Sequence, residues 1–334
     1  GSSRDSRALG AYYLEKHGIP QSRLCTIKVD PRAPSLSLAE FERDVRLPIQ
    51  AHLANNRLAD QIHYLVLCLD IPSRVENDNG ITSVLFYGYK PATPGAPRCH
   101  VASNSVNQYY GAETAYNSTA GWNRTNAPIP FLLTAGDLET AKRVVDRGVA
   151  SIAAFPEGAF CLYGSADAAR NVRHRTYPVV ARQLELLGRG AWLDANPAAS
   201  PAPARPILGY LNGLAYLPTN LTGAAFAPGA ICEHLTSCAG MIPEPCLNQS
   251  SVWDWMRLGA TASYGTVTEP CAFEVKFPDP MIAFWYARGF TAGEALAMAV
   301  RHPYQGLWVG DPLAAPFAAP PSVRVLEPAR NAKL

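Results

Sequence analysis

One uninterrupted apolar run constrains the fold of this chain more than any other feature. Residues 62–71 read IHYLVLCLDI, which is the length of a β-strand and well short of a membrane-spanning helix. A strand that is apolar on both faces is typical of a central strand in a parallel sheet, because helices cover both sides of such a sheet. Helix-like and strand-like segments alternate around this run. The sequence therefore predicts an α/β fold with right-handed crossovers.

The ends of several helices are marked by capping residues. Residues 5–17 have apolar positions at helical spacing, and Gly18 ends that helix. Ser37 and Glu40 form a capping box, which predicts a helix to about residue 55 with a kink at Pro48. The remaining predicted helices cover residues 137–154, 173–187, 251–258, 280–288 and 291–300. The other predicted strands cover residues 23–29, 82–89, 129–135, 159–163, 207–211, 230–233 and 260–264.

We expect residues 1–334 to form a single domain, because the predicted strands on either side of each irregular stretch fit one sheet. Two stretches interrupt the alternation. Residues 90–128 are rich in Pro, Gly, Asn, Ser and Thr, and a loop of this length is usually functional or ordered by a partner. Residues 196–206 are rich in Pro and Ala and are interpreted as a loop insertion.

Composition excludes several classes of function. The net charge is +2 and no cluster of Lys and Arg occurs, so nucleic-acid binding has no electrostatic support. No apolar run reaches the roughly 20 residues of a transmembrane helix. The chain lacks GxGxxG, P-loop, HExxH and Cys-x-x-Cys patterns. We therefore expect no cofactor and no metal.

Cysteines and glycosylation motifs favour export. The chain has 8 cysteines, an even number that allows disulfides. Asn-x-Ser/Thr motifs make four residues candidates for glycosylation: Asn117, Asn123, Asn220 and Asn248. The sequence therefore predicts an extracellular or cell-surface location.

Two predicted strands run into polar turns that contain glycine. Residues 229–240 place His234, Ser237 and Cys238 after one strand, and residues 259–270 place Glu269 after the next. Catalytic groups gather at the carboxyl ends of strands in α/β sheets. His234 is a candidate base that would activate the thiol of Cys238. The alternative is that Cys238 forms a disulfide with Cys232, Cys246 or Cys271, and that His234 hydrogen-bonds the backbone.

Several segments, in order, resemble the gingipain-type cysteine peptidases, which have a caspase-like α/β fold. They are YLVLCLDIP at 64–72, LLTAGDLETAKRVV at 132–145, TSCAG at 236–240, GATASYG at 259–265 and LWVGDPL at 307–313. The resemblance covers about two-thirds of the chain. The opening residues 5–20 and the VTEPC…KFPDP stretch resemble an uncharacterised exported bacterial family of this type.

The resemblance implies a mostly parallel sheet with helices on both faces, and it assigns Cys238 to the nucleophile position. One residue departs from the pattern. In active gingipain-like enzymes a His-Gly pair supplies the base, whereas the matching strand ILGYLNG has Asn212 before Gly213. Asn has no basic nitrogen to accept a proton from a thiol.

Two functions follow. The first is a non-catalytic surface protein with a structural, binding or self-assembly role, with homo-oligomer contacts expected through residues 90–128. The second is an atypical cysteine hydrolase that acts on a peptide substrate, with Cys238 as nucleophile, His234 as base and backbone N–H groups near Gly240 as the oxyanion hole.

Overall fold

The computed structural model describes residues 3–97, 99–117, 127–194, 203, 205–246 and 248–319. Asn123 and most of the predicted 196–206 loop lie outside these residues. The helices are α1 (Arg4–His17), α2 (Leu38–Phe41), α3 (Leu47–Asn55), α4 (Ile81–Tyr87), α5 (Leu138–Ser151), α6 (Tyr177–Leu186), α7 (Val252–Leu258), α8 (Ile282–Ala287) and α9 (Ala292–Ala299). The strands are β1 (Ser35–Leu36), β2 (Tyr64–Cys68), β3 (Arg74–Val75), β4 (Asn79–Gly80), β5 (Ile129–Leu133), β6 (Ala159–Tyr163), β7 (Gly190–Asp194), β8 (Ile207–Asn212), β9 (Phe226–His234), β10 (Ala262–Thr266) and β11 (Gly306–Gly310).

The main sheet has eight strands in the order β2-β5-β11-β10-β9-β8-β6-β7. All neighbours in it run parallel except β10 and β11, which are antiparallel. The sheet therefore consists of two parallel blocks that point in opposite directions. The carboxyl ends of β8, β9 and β10 lie at one end of the sheet, and those of β2, β5 and β11 lie at the other. The predicted mixed α/β fold with a mostly parallel sheet is confirmed.

Helices cover both faces of this sheet, as the sequence predicts. Val144 of α5 and Trp255 of α7 lie in a buried cluster on one face, together with Leu9 of α1. Val180 of α6 and Leu296 of α9 lie in a second cluster on the other face, with much of α8. The strands between the two clusters are buried, which explains why β5, β6 and β8 read as continuous apolar runs.

The capping residues act as predicted. The hydroxyl of Ser37 accepts from the N–H of Glu40, and the Glu40 carboxylate accepts from the N–H of Ser37. Gly18 ends α1 at a φ of 63°, a left-handed conformation that costs glycine little. Asp137 caps α5 through the N–H of Thr140. The sequence predicted one helix with a kink at Pro48; the observed interruption is instead a π-helical turn, Glu42–Arg46, and Pro48 lies in the first turn of α3.

Three local predictions were wrong. Most of the predicted strand at 82–89 lies in helix α4 instead, because packing of Ile81 and Val84 in the core overrides the β-branched and aromatic composition. Residues 23–29 join no strand in the described part of the chain. The apolar run at 62–71 forms β2, which is an edge strand and not a central one. Helix α1 packs against β2, and the side chains of β2 are half-buried or buried, so apolarity alone did not reveal its place in the sheet.

Candidate functional site

The candidate residues are brought together at the carboxyl ends of β8 and β9. Asn212 and His234 are paired in register as the last residues of the two strands. The turn that contains Cys238 follows β9, and Glu269 follows β10 and accepts a hydrogen bond from the N–H of Cys271. This end of the sheet is where the sequence placed the site.

Cys238 is bonded to Cys246, eight residues further along the chain. This is one of the three pairings that the sequence left open. A second disulfide joins Cys99 to Cys271. The nucleophile of a cysteine peptidase is a thiolate, and a disulfide sulfur is not a thiolate. Cys238 in this state therefore cannot attack a carbonyl carbon.

The backbone donors of the Cys238 turn are already used by the protein. The N–H of Cys238 donates to Oε1 of Gln249, and the N–H of Gly240 donates to the carbonyl oxygen of Thr266, both at 2.9 Å. The N–H of Met241 donates to the carbonyl oxygen of Cys238 at 2.9 Å. An oxyanion hole needs donors that point at an empty position. The N–H of Gly240, which the sequence proposed for this role, is engaged elsewhere.

Gly240 has a packing role in the turn. A Cβ at this position would lie 2.5 Å from the carbonyl oxygen of Gly265 in β10. Only glycine therefore lets the turn approach the strand this closely. The glycine of TSCAG is explained by this contact without any reference to catalysis.

His234 is buried and both of its ring nitrogens have partners. Nδ1 accepts a hydrogen bond from the indole Nε1–H of Trp255 at 2.9 Å, and Nε2 donates to the carbonyl oxygen of Ser250 at 3.1 Å. Burial lowers the pKa of His234 to about 4. The imidazole is therefore neutral near pH 7, and its basic nitrogen points at α7.

Asn212 is fully buried beside His234. Its carbonyl oxygen accepts hydrogen bonds from the N–H of Leu235 and from the Arg173 guanidinium. The side-chain amide of Asn212 has no hydrogen-bond partner among the described residues. The Asn212 amide is therefore a buried polar group whose lost hydration no hydrogen bond from the described residues replaces. It also supplies no base to the site.

A buried ion pair between Arg173 and Glu233 was missed by the sequence reading. Arg173 Nη2 lies 2.6 Å from Glu233 Oε2, and the guanidinium also donates to the carbonyl oxygens of Pro278 and Asn212. Burial raises the pKa of Glu233 to about 7, although the charge of Arg173 opposes this shift. The one charged residue inside the apolar run AICEH was the signal that could have predicted a buried partner.

Lys276 ties the long loop to the exit of β10. Its fully buried ammonium donates to the carbonyl oxygens of Cys99 and Pro270 and to Oε1 of Gln305, at 2.6–3.1 Å. Burial lowers the pKa of Lys276 to about 7. The adjacent Cys99–Cys271 disulfide joins the same two segments. Lys276 and this disulfide together hold the long loop against the segment that follows β10.

The closing LWVGDPL segment also has a structural explanation. Asp311 is fully buried and accepts hydrogen bonds from the Tyr13 hydroxyl at 2.9 Å and from His17 Nε2 at 2.8 Å. It also accepts from the N–H of Leu313. Asp311 therefore anchors α1 to the carboxyl end of β11, opposite the Cys238 turn.

Surface features bear on location and ligands. Asn117 and Asn248 are exposed, and Asn220 is half-buried. Among the described residues no cluster of three or more His, Cys, Asp or Glu side chains is arranged to hold a metal ion. The described helices include none that is long and apolar enough to cross a bilayer. Two disulfides are compatible with an exported protein.

Comparison with known proteins gives one weak structural likeness. No protein-family model matches the chain, and no curated protein matches it. A solved structure described as "Structure of Protease" aligns with a TM-score of 0.39 and 11% sequence identity. The alignment covers 56% of this chain and 55% of that chain. A likeness at this level carries no argument about activity.

Proposed function

We propose that this chain is an exported or cell-surface protein built on a degenerate gingipain-like scaffold of caspase-like fold, with a structural, binding or self-assembly role and no catalytic activity. The observation that carries the proposal is the bond between Cys238 and Cys246. It occupies the sulfur at the position where the resembling peptidases have their nucleophile.

The surroundings of Cys238 support the same conclusion. His234 would have to leave both Trp255 and Ser250 before either ring nitrogen was free to accept a thiol proton. Asn212 stands at the position of the usual base and has no basic nitrogen. The N–H of Gly240 would have to leave Thr266. Several stable contacts therefore oppose the hydrolase alternative at once.

Self-assembly is supported by apolar side chains on the long loop. Val106 and Tyr110 are exposed at 42% and 36%. The loop beneath them is fixed by the Cys99–Cys271 disulfide and by Asn107, whose amide donates to the carbonyl oxygens of Ala297 and Val300. A rigid loop with an apolar surface is suited to contact with another chain.

The test combines alkylation of free thiols with mass analysis of the peptides. Native protein is treated with iodoacetamide without reductant, digested and analysed for the peptides that contain Cys238 and Cys246. We expect the two peptides to remain linked and unalkylated. A free Cys238 that is alkylated faster than the other cysteines would contradict the proposal and favour the hydrolase alternative.

The assembly role is tested by light scattering over a range of protein concentrations. We expect the mass to rise above 36.0 kDa with concentration, and we expect Val106→Asp to prevent the rise. Val179→Asp is the control, because it makes the same substitution at a valine that is also exposed, at 60%, but lies on α6 and not on the loop. A monomer at all concentrations would exclude the self-assembly role.

A further inference from the structure

The open edge of the main sheet faces a groove. Strand β2 pairs with β5 on one side, and no described strand pairs with its other side. The carbonyl oxygen of His63 accepts from Ile129, and the N–H of Leu69 donates to Leu133, so odd-numbered residues point their backbone groups at β5. Because successive residues alternate in a strand, the backbone groups of Tyr64, Val66 and Cys68 point away from the sheet.

The groove beside this edge has the size of a ligand site. Its volume is about 590 Å³, within the usual range for binding pockets. Strand β2 and most of the segment 24–29 both line it. Apolar side chains of α1 and α3, among them Leu14, Ile49 and Leu53, contribute further lining.

The segment 24–29 has the pattern of a strand but belongs to none of the described strands. From Cys25 to Asp30 its residues alternate between half-buried and exposed, with Cys25, Ile27 and Val29 turned inward. This is the two-residue period of a β-strand. Two extended segments therefore line one groove, and among the described strands only one of them belongs to a sheet.

The charges along the groove favour an anionic occupant. Arg7 and Arg23 line it, whereas Asp70 is the one acidic residue among the described residues of the lining. Asp70 already accepts a hydrogen bond from the Ser3 hydroxyl. Arg23 uses Nη2 to bind Oε1 of Gln61, and its Nη1 is buried without a hydrogen-bond partner among the described residues. A carboxylate is one of the groups whose geometry a guanidinium matches.

We propose that this groove binds an extended peptide with alternating apolar and acidic residues, which adds a strand to the main sheet along β2. The peptide backbone pairs with Tyr64 and Val66. The edge ends at Cys68, because the carbonyl oxygen of Cys68 already accepts from the Ser6 hydroxyl. The apolar side chains enter the groove, and an acidic side chain meets Arg23. This is binding by strand addition, in which backbone pairing gives affinity and side-chain pockets give specificity.

A fatty acid would satisfy the apolar lining and Arg23, but it could not form a β-ladder with the backbone groups of Tyr64 and Val66, and the carbonyl oxygen of Val66 would keep only its weak contact with the Cys68 thiol at 4.0 Å. A peptide satisfies both features, so the structure favours a peptide over a lipid. The proposal rests on the non-catalytic binding role given above and names the partner class for it.

The probe is an array of immobilised eight-residue peptides in which Val or Ile alternates with Asp or Glu. A matched array carries Lys in place of the acidic residues. We expect the full chain to bind members of the acidic array and none of the Lys array. The peptide with the strongest signal is then labelled with fluorescein, and its affinity is measured by anisotropy.

A pair of matched variants tests the role of charge. Arg23→Gln removes the charge and keeps a shorter polar side chain, and it should weaken peptide binding about tenfold, the loss expected for one charge-assisted contact. Arg32→Gln is the control, because Arg32 is exposed and does not line the groove. It should leave the affinity unchanged. Equal affinities for all three proteins would contradict the assignment of Arg23.

Hydrogen exchange tests strand addition itself. Bound peptide should slow exchange of the Tyr64 and Val66 amides, which point away from β5. The Leu65 and Leu67 amides face β5 and should not change. Uniform protection, or none, would overturn the proposal.

Two further outcomes would also overturn the proposal. One is binding of dodecanoate without binding of any acidic peptide, which would identify a lipid site. The other is protection of the open edge by a second copy of the chain. Neither result would change the outcome of the iodoacetamide experiment, which tests the absence of catalysis independently of peptide binding.

Discussion

The imidazole of His234 accepts a hydrogen bond from the indole of Trp255 at 2.9 Å. This contact fixes Nδ1 as the acceptor and leaves Nε2 as the donor to Ser250. His234 therefore joins the last residue of β9 to helix α7. It lies four residues from Cys238 in sequence, but its ring nitrogens are committed to the core.

His234 should make stability depend on pH. The pKa of its side chain falls from 6.5 to about 4 on burial, so the unfolded chain binds more protons between these values. The contribution of the neutral imidazole to the free energy of unfolding is complete above pH 6.5. This free energy decreases by about 3 kcal/mol as the pH falls from 6.5 to 4. His234→Gln keeps one acceptor and one donor but does not titrate. Urea unfolding should show the variant's deficit at pH 7 shrinking at pH 4, and an equal deficit at both would refute this.

Removal of Arg173 should leave an unpaired carboxyl group in the core. Arg173→Met should cost about 3–5 kcal/mol, the usual result of breaking a buried ion pair. Without the guanidinium, burial raises the pKa of Glu233 further, so the folded state holds its proton to higher pH. The loss of stability caused by Arg173→Met, measured by urea unfolding, should therefore be larger at pH 8 than at pH 5. Arg173→Met combined with Glu233→Gln is the control, and it should lose this pH dependence.

The two disulfides should differ in their effect on stability. Cys99 and Cys271 are separated by 172 residues, and Cys238 and Cys246 by 8. Constraint of the unfolded chain predicts losses of about 5 and about 3 kcal/mol when each pair is replaced by Ser. Thermal unfolding of the two double variants should therefore place the Cys99/Cys271 variant lower. The reverse order of melting temperatures would mean that the entropy of the unfolded chain does not dominate the effect of these disulfides on stability.

The fully buried Asn212 side chain should be replaceable with a gain in stability. Asn212→Leu removes two polar atoms that have no partner within the described structure, and should stabilise the fold by about 1–2 kcal/mol. Asn171→Leu is the contrasting variant, because Asn171 Oδ1 accepts from the N–H of Ser165. It should destabilise. A loss of stability in Asn212→Leu would indicate that its amide is satisfied.

The features that the sequence predicted are those with local causes. Ser37 with Glu40, Gly18 and Asp137 mark helix ends through contacts within a few residues, and these caps formed as predicted. The apolar strands β5, β6 and β8 were predictable because each is buried on both faces.

The features that the sequence did not predict depend on distant residues. The edge position of β2 depends on where β5 and β11 lie in the sheet order. The partner of Glu233 is Arg173, 60 positions earlier in the chain, and no local pattern joins the two. The short strand β7 has five residues between Gly188 and a Pro/Ala-rich stretch, so no periodicity reveals it. The candidate residues lie at the strand ends where the sequence placed them, but the bonding state of Cys238 depends on the disulfide, which spacing alone left open.

The rate of peptide hydrolysis after reduction tests the absence of catalysis most directly. The wild-type chain and Cys238→Ala are each treated with a mild reductant and assayed on a library of fluorogenic peptides. Because His234, Asn212 and the N–H of Gly240 stay unsuited to catalysis when the disulfide opens, the two proteins should show the same background rate. A wild-type rate at least a hundredfold above that of Cys238→Ala, the scale of one general-base contribution, would contradict the account.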